Sequence, residues 1–112
     1  MKEQYPLYLK WQEVLEVLIT YTERFPKSVR HTLVDRIVKI GLDIMALLVR
    51  AIYAKEKRVH LLQINIELEV LRTLIQIAHA CRYISTEQYG SLTKRLAGFG
   101  KGIGGWIKAC DA

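Results

Sequence analysis

LVDRIVKIGLDIMALLVRAIYA, residues 33–54, decides the fold class. Projected at 100° per residue, Leu33, Ile37, Ile40, Ile44, Leu48 and Ala51 share one face, which is the period of a helix and not of a strand. Val38, Leu42, Met45, Val49 and Ile52 carry the apolar arc beyond the width that one bundle core needs. The narrow strip left for water holds Arg36, Lys39, Asp43 and Arg50. A helix of this kind calls for a second buried contact, with another subunit.

Working outward, Phe25-Pro26 precedes this helix, and proline disfavours the helical conformation in the residue before it while fitting a first turn. The second helix is therefore expected from Lys27 or Ser28 to Ala54, roughly 40 Å long. Upstream, Leu7, Trp11, Val14, Leu15, Leu18, Ile19 and Thr22 give a first helix over about Pro6 to Glu23. Downstream, Lys55-Glu-Lys-Arg58 reads as a charged turn, and Leu61, Ile64, Leu68, Leu71 and Ile75, joined by Val70, Leu74 and Ile77, give a third helix from Val59 to Arg82. Its polar strip is Asn65, Glu69, Arg72, Gln76 and His79. Glu67 falls inside the apolar arc, so a basic partner is expected for it, within the subunit or across an interface.

Ser85-Thr-Glu-Gln88 has the form of a capping box, which starts a fourth helix there. Tyr89, Leu92, Leu96, Phe99, Ile103, Trp106 and Ile107 keep helical spacing through Gly98, Gly100, Gly102, Gly104 and Gly105. Each interior glycine costs about 1 kcal/mol against alanine, so close packing or a bend is expected along this helix. Four helices joined by short turns pack most simply as an all-α, up-down-up-down bundle.

A chain of 112 residues supports a single domain, residues 1–112, with a real core but no room for a separate catalytic lobe. Charges scattered through the first twenty residues break any signal-peptide core, and no uncharged run reaches the length of a membrane span, so a cytoplasmic protein is expected. Cys81 and Cys110 form no CxxC and read as reduced thiols, Cys81 buried beside Ile77, Ala78 and Ile84 and Cys110 near a frayed end.

Nothing in the chain competes as catalytic chemistry. Gly100-Lys-Gly102-Ile-Gly-Gly105 matches GxGxxG, but a dinucleotide site needs a strand before it and a helix after it. His31, His60 and His79 are far apart and lack metal-ligand spacing. Glu67 and Glu69 stand two apart on a helix and point in different directions, which rules out a carboxylate dyad. No enzyme activity, metal or cofactor is expected.

The positive charge is concentrated. Arg24, Lys27, Arg30, Arg36, Lys39, Arg50, Lys55, Lys57 and Arg58 stand against Asp35, Asp43 and Glu56, so this segment alone carries the +6 of the whole chain. Such a local field attracts a polyanion, chiefly through its phosphates, and Tyr53 and Tyr21 stand near it as candidates for stacking on bases. The alternative is a structural oligomeric adaptor whose cations meet an acidic protein.

Four motifs carry a resemblance. Phe25-Pro-Lys-Ser28 opening the long helix, Ala51-Ile-Tyr-Ala-Lys-Glu-Lys57 closing it, Leu68-Glu-Val-Leu-Arg72 in the third and Gly104-Gly-Trp-Ile-Lys108 ending the fourth resemble the accessory variability determinant (Avd) proteins of diversity-generating retroelements. Four-helix-bundle proteins encoded within ribosomal RNA intervening sequences are a related group, and the Gly-Gly-Trp-Ile-Lys ending favours Avd. The resemblance implies a pentameric barrel of four-helix bundles, not itself an enzyme. It implies association with the retroelement reverse transcriptase and with its template RNA or DNA, in support of mutagenic homing. The basic residues in or next to the matching segments, Lys27, Arg30, Lys55, Lys57, Arg58 and Arg72, become the candidate binding residues, followed by Arg36, Lys39 and Arg50.

Overall fold

The computed structural model describes residues 5–111, which form helices and no strand. Helix α1 spans Pro6–Thr22, α2 Asp35–Tyr53, α3 Arg58–Ala80 and α4 Thr86–Asp111. Each helix packs on its neighbours in chain order, and α4 closes back on α1. The two ends fix the directions. Phe25 in the α1–α2 turn lies 5.6 Å from Tyr83 in the α3–α4 turn, while Tyr5 stacks on Trp106 at 5.8 Å at the other end. Those contacts fit an up-down-up-down bundle 45 Å long and about half as wide.

The α1–α2 corner is more elaborate than the spacing suggests. Pro26 is followed by a tight 3-10 turn, Lys27–Val29, and then by a wide π turn, Arg30–Val34, before regular α-helix begins at Asp35. Val29, Leu33 and Val34 all pack at the edge of the core, while His31 and Thr32 stay exposed. Burial, and not the 100° rule, places these residues.

The core runs the length of the bundle. Trp11 of α1 is fully buried, its indole N–H donates to the Gly41 carbonyl of α2 at 2.9 Å, and its ring lies 4.6 Å from that of Phe99 in α4. Gly41 permits that approach, since a β-carbon there would stand 2.8 Å from Leu15 Cδ1. Leu61, Ile64, Leu68, Leu71 and Ile75 form the buried face of α3, as their spacing predicts. Replacing Leu68 by alanine is expected to cost about 2–5 kcal/mol in denaturant titration, because the side chain is almost wholly enclosed.

Several expectations are corrected. Val70 and Ile77 face water and lie off the core. Cys81 is exposed, because α3 stops at Ala80 in a Schellman turn: Tyr83 N–H donates to Ala78 O at 2.8 Å and Arg82 N–H to His79 O at 2.9 Å. Arg82 takes the left-handed position, φ 65°, that glycine usually fills, and Cys81 is turned away from the apolar face. Glu67 is half-buried and accepts a hydrogen bond from Gln63 at 3.2 Å, with no basic partner among the described residues. Close packing explains two of the five α4 glycines. A β-carbon would stand 2.9 Å from Arg72 Nη2 at Gly100 and would collide with Leu7 at Gly102, whereas Gly98, Gly104 and Gly105 border open space. The capping box forms as expected, with Ser85 Oγ accepting from Gln88 N–H at 3.0 Å and Gln88 Oε1 accepting from Ser85 N–H at 3.1 Å. Among the described residues, no helix is long and apolar enough to cross a membrane.

Candidate nucleic-acid interface

The structure divides the nine candidate cations into two sets. Four are held by the protein itself. Lys57 turns inward, and its Nζ donates to the Ala51 and Ile52 carbonyls at 2.9 and 2.8 Å. These are carbonyls of the last turn of α2, where the helix dipole favours a cation, so Lys57 caps that helix. Arg58 pairs with Asp111 and ties the start of α3 to the end of α4. Arg72 donates to Glu69 at 2.6 Å and to the Leu96 carbonyl at 3.4 Å, bridging α3 to α4 over Gly100. Lys39 pairs with Asp43 one turn away, at 2.9 Å.

Lys27, Arg30, Arg36, Arg50 and Lys55 form the second set. All five are exposed, and none has a carboxylate partner among the described residues. They do not form one patch. Lys27 and Arg30 flank the α1–α2 turn at one end, Lys55 lies in the α2–α3 turn at the other, and Arg36 and Arg50 stand on the outer strip of α2 between them. The set is spread along the 45 Å axis of the bundle, with Arg30 turned into the cleft between α1 and α2. Tyr53, 64% exposed, stands at the Lys55 end and is open to stacking, whereas Tyr21 packs against the core.

A further group of cations escaped the sequence reasoning. Between Gln88 and Cys110, α4 carries Lys94, Arg95, Lys101 and Lys108 and no acid. Lys94, Lys101 and Lys108 recur every seven residues, so they rise along one line of the helix, and all are exposed. Lys94 and Arg95 join Lys10 of α1 around a cleft of about 210 Å³ floored by Phe99, with Glu13 its one acid. The absence of carboxylates over that run was the signal to be read, and the larger excess at Arg24–Arg58 concealed it. Arg24 and Arg82 add exposed cations at the end where Phe25 meets Tyr83.

No group of His, Cys, Asp and Glu among the described residues is arranged to hold a metal ion. The surface presents cations in two lines, on α2 and on α4, in a form suited to a long anion and not to a small one.

Comparison with known proteins agrees with the resemblance carried by the four motifs. The family described as bAvd-like matches residues 7–110. No individual curated protein matches the chain. Because that family match spans all four helices, the chain belongs to the bAvd-like family, the accessory variability determinant proteins of diversity-generating retroelements.

Proposed function

We propose that the protein is a non-catalytic cytoplasmic subunit, assembled as a homopentameric barrel, that holds the retroelement reverse transcriptase and its template RNA or DNA on a basic surface. In that role it supports mutagenic reverse transcription and homing. The observation that carries this reading is the pair of cationic lines on α2 and α4, where Asp43 engages Lys39 alone and α4 carries no acid between Gln88 and Cys110. Phosphates that displace their counterions onto such lines gain affinity without base recognition. Five copies of a +6 chain bring about +30 together, so a strand crossing several subunits gains avidity that no single copy has.

Capture of the reverse transcriptase by the tagged protein, with and without added RNA, tests the reading. Capture that needs or is strengthened by RNA, together with direct RNA affinity, is the expected outcome. Equal capture in both conditions with no RNA affinity would assign the cations to an acidic protein surface, the adaptor role. In that case Lys55→Glu abolishes capture while nucleic acid has no part.

A further inference from the structure

The cleft between α1 and α4 has a rim and a floor of opposite character. Lys10 and Glu13 of α1 and Lys94, Arg95 and Gly98 of α4 form the rim, while Val14 and Phe99 form an apolar floor. The rim cations are available. Lys10, Lys94 and Arg95 are all exposed, and none lies within ion-pair reach of a carboxylate among the described residues. Arg95 meets the Ser91 hydroxyl, Nε to Oγ at 3.4 Å. Three cations against the single carboxylate of Glu13 leave the rim positive.

Gly98 adds an independent sign of use. A glycine inside a helix is destabilising relative to alanine, so its presence needs a reason. Packing within the subunit supplies none, because a β-carbon at Gly98 would meet nothing within 4 Å. The position opens into the cleft, and a larger side chain there would stand in its mouth.

Size and chemistry narrow the occupant. At about 210 Å³ the cleft is smaller than the roughly 300 Å³ at which pockets for whole small ligands begin, so it takes one group of a longer molecule. The apolar floor suits a flat ring, and the cationic rim suits phosphates joined to that ring. Glu13 would repel a phosphate but accepts from a ring N–H. We propose that the cleft receives one unstacked base of a single strand, with the phosphates on either side of it held by Lys10, Lys94 and Arg95. This rests on the nucleic-acid reading of the proposed function and names the form of nucleic acid that the surface selects. In a duplex every base is stacked and paired, whereas a single strand can splay one out. Charge alone predicts the opposite order, since a duplex releases more counterions for each phosphate neutralised.

The test compares the affinity of the full chain for a labelled RNA strand with that for the same strand annealed to its complement. Wild type is expected to hold the single strand about fivefold more tightly, the low end for a base held against an aromatic side chain. Gly98→Leu fills the mouth without changing a charge. It is expected to lose that fivefold, to keep the duplex affinity and the salt slope, and to melt no lower than wild type by circular dichroism, since the added side chain meets open space. Lys94→Gln with Arg95→Gln is expected to weaken both forms and to flatten the salt slope. Equal affinity for the two forms, or Gly98→Leu binding the single strand as wild type does, would overturn the cleft and leave the cationic surface standing. Loss of reverse transcriptase capture in Gly98→Leu with single-strand affinity intact would give the cleft to that protein and overturn the assignment to a base. No affinity for either form would overturn the cleft together with the nucleic-acid reading.

Discussion

Replacing Trp11 by alanine is expected to remove about 3–5 kcal/mol of stability, the range for deleting a large aromatic from a closed core. Three losses coincide at this position. The indole is fully buried, it packs on Phe99 of α4 at 4.6 Å, and its N–H donates to the Gly41 carbonyl of α2 at 2.9 Å. Trp11 thus joins α1 to two other helices, and the missing side chain of Gly41 leaves room for Leu15 and Leu18 of the same helix. Against a total stability of about 5–15 kcal/mol for a typical domain, the variant approaches the threshold of folding. Chemical denaturation measures the loss directly. Trp11→Phe keeps a ring against Phe99 but removes the donor, and a smaller loss of about 1–2 kcal/mol is expected from it. A Trp11→Ala loss under about 1 kcal/mol, well below the usual range, would show that α1 is not docked on α2 and α4 through this side chain.

Affinity for RNA is expected to fall by about 10³ to 10⁵ between 50 and 200 mM salt, the drop that accompanies some six to ten phosphate contacts. One subunit offers five unpaired candidates in Lys27, Arg30, Arg36, Arg50 and Lys55, and α4 offers Lys94, Lys101 and Lys108. Changing the five together to glutamine is expected to flatten the logarithmic salt slope by about one for each phosphate no longer neutralised. Lys57 supplies an internal contrast. Its ammonium group is engaged by the Ala51 and Ile52 carbonyls, so Lys57→Gln lowers thermal stability and leaves the slope unchanged. Titrations at four or five salt concentrations with a labelled single strand separate these outcomes, and an affinity indifferent to salt would remove phosphate binding from the proposed function.

The helices were legible because their burial obeys one period. The six apolar residues from Leu33 to Ala51 and the five from Leu61 to Ile75 turned to the core as spaced, and Ser85 and Gln88 announced the start of α4. What the period could not supply was the width of each buried face. Val70 and Ile77 are as apolar as Leu71 and Ile75, and only the positions of α2 and α4 decide which of them meet a neighbour. Cys81 went astray for a related reason: the helix ends in a left-handed arginine where no glycine marks the stop. Charge was legible in amount and not in availability. Lys57, Arg58 and Arg72 sit in or next to matching motifs, yet their partners Ala51, Ile52, Asp111 and Leu96 become neighbours through folding, in two of the three cases across more than twenty residues. The lysines of α4 were plain to see one by one, but their alignment matters only once the helix is known to present that side outward.

Tyr5 on Trp106 and Arg58 on Asp111 place both described chain termini at the same pole as the α2–α3 turn. Cargo attached next to Tyr5 or Asp111 therefore starts from that pole. It would shade Lys55 while leaving Arg24, Lys27, Arg30 and Arg82 at the opposite pole uncovered. For tethering the protein to a bead or a fluorophore, Tyr5 and Asp111 offer equivalent points of attachment and keep the far tip clear for whatever docks there.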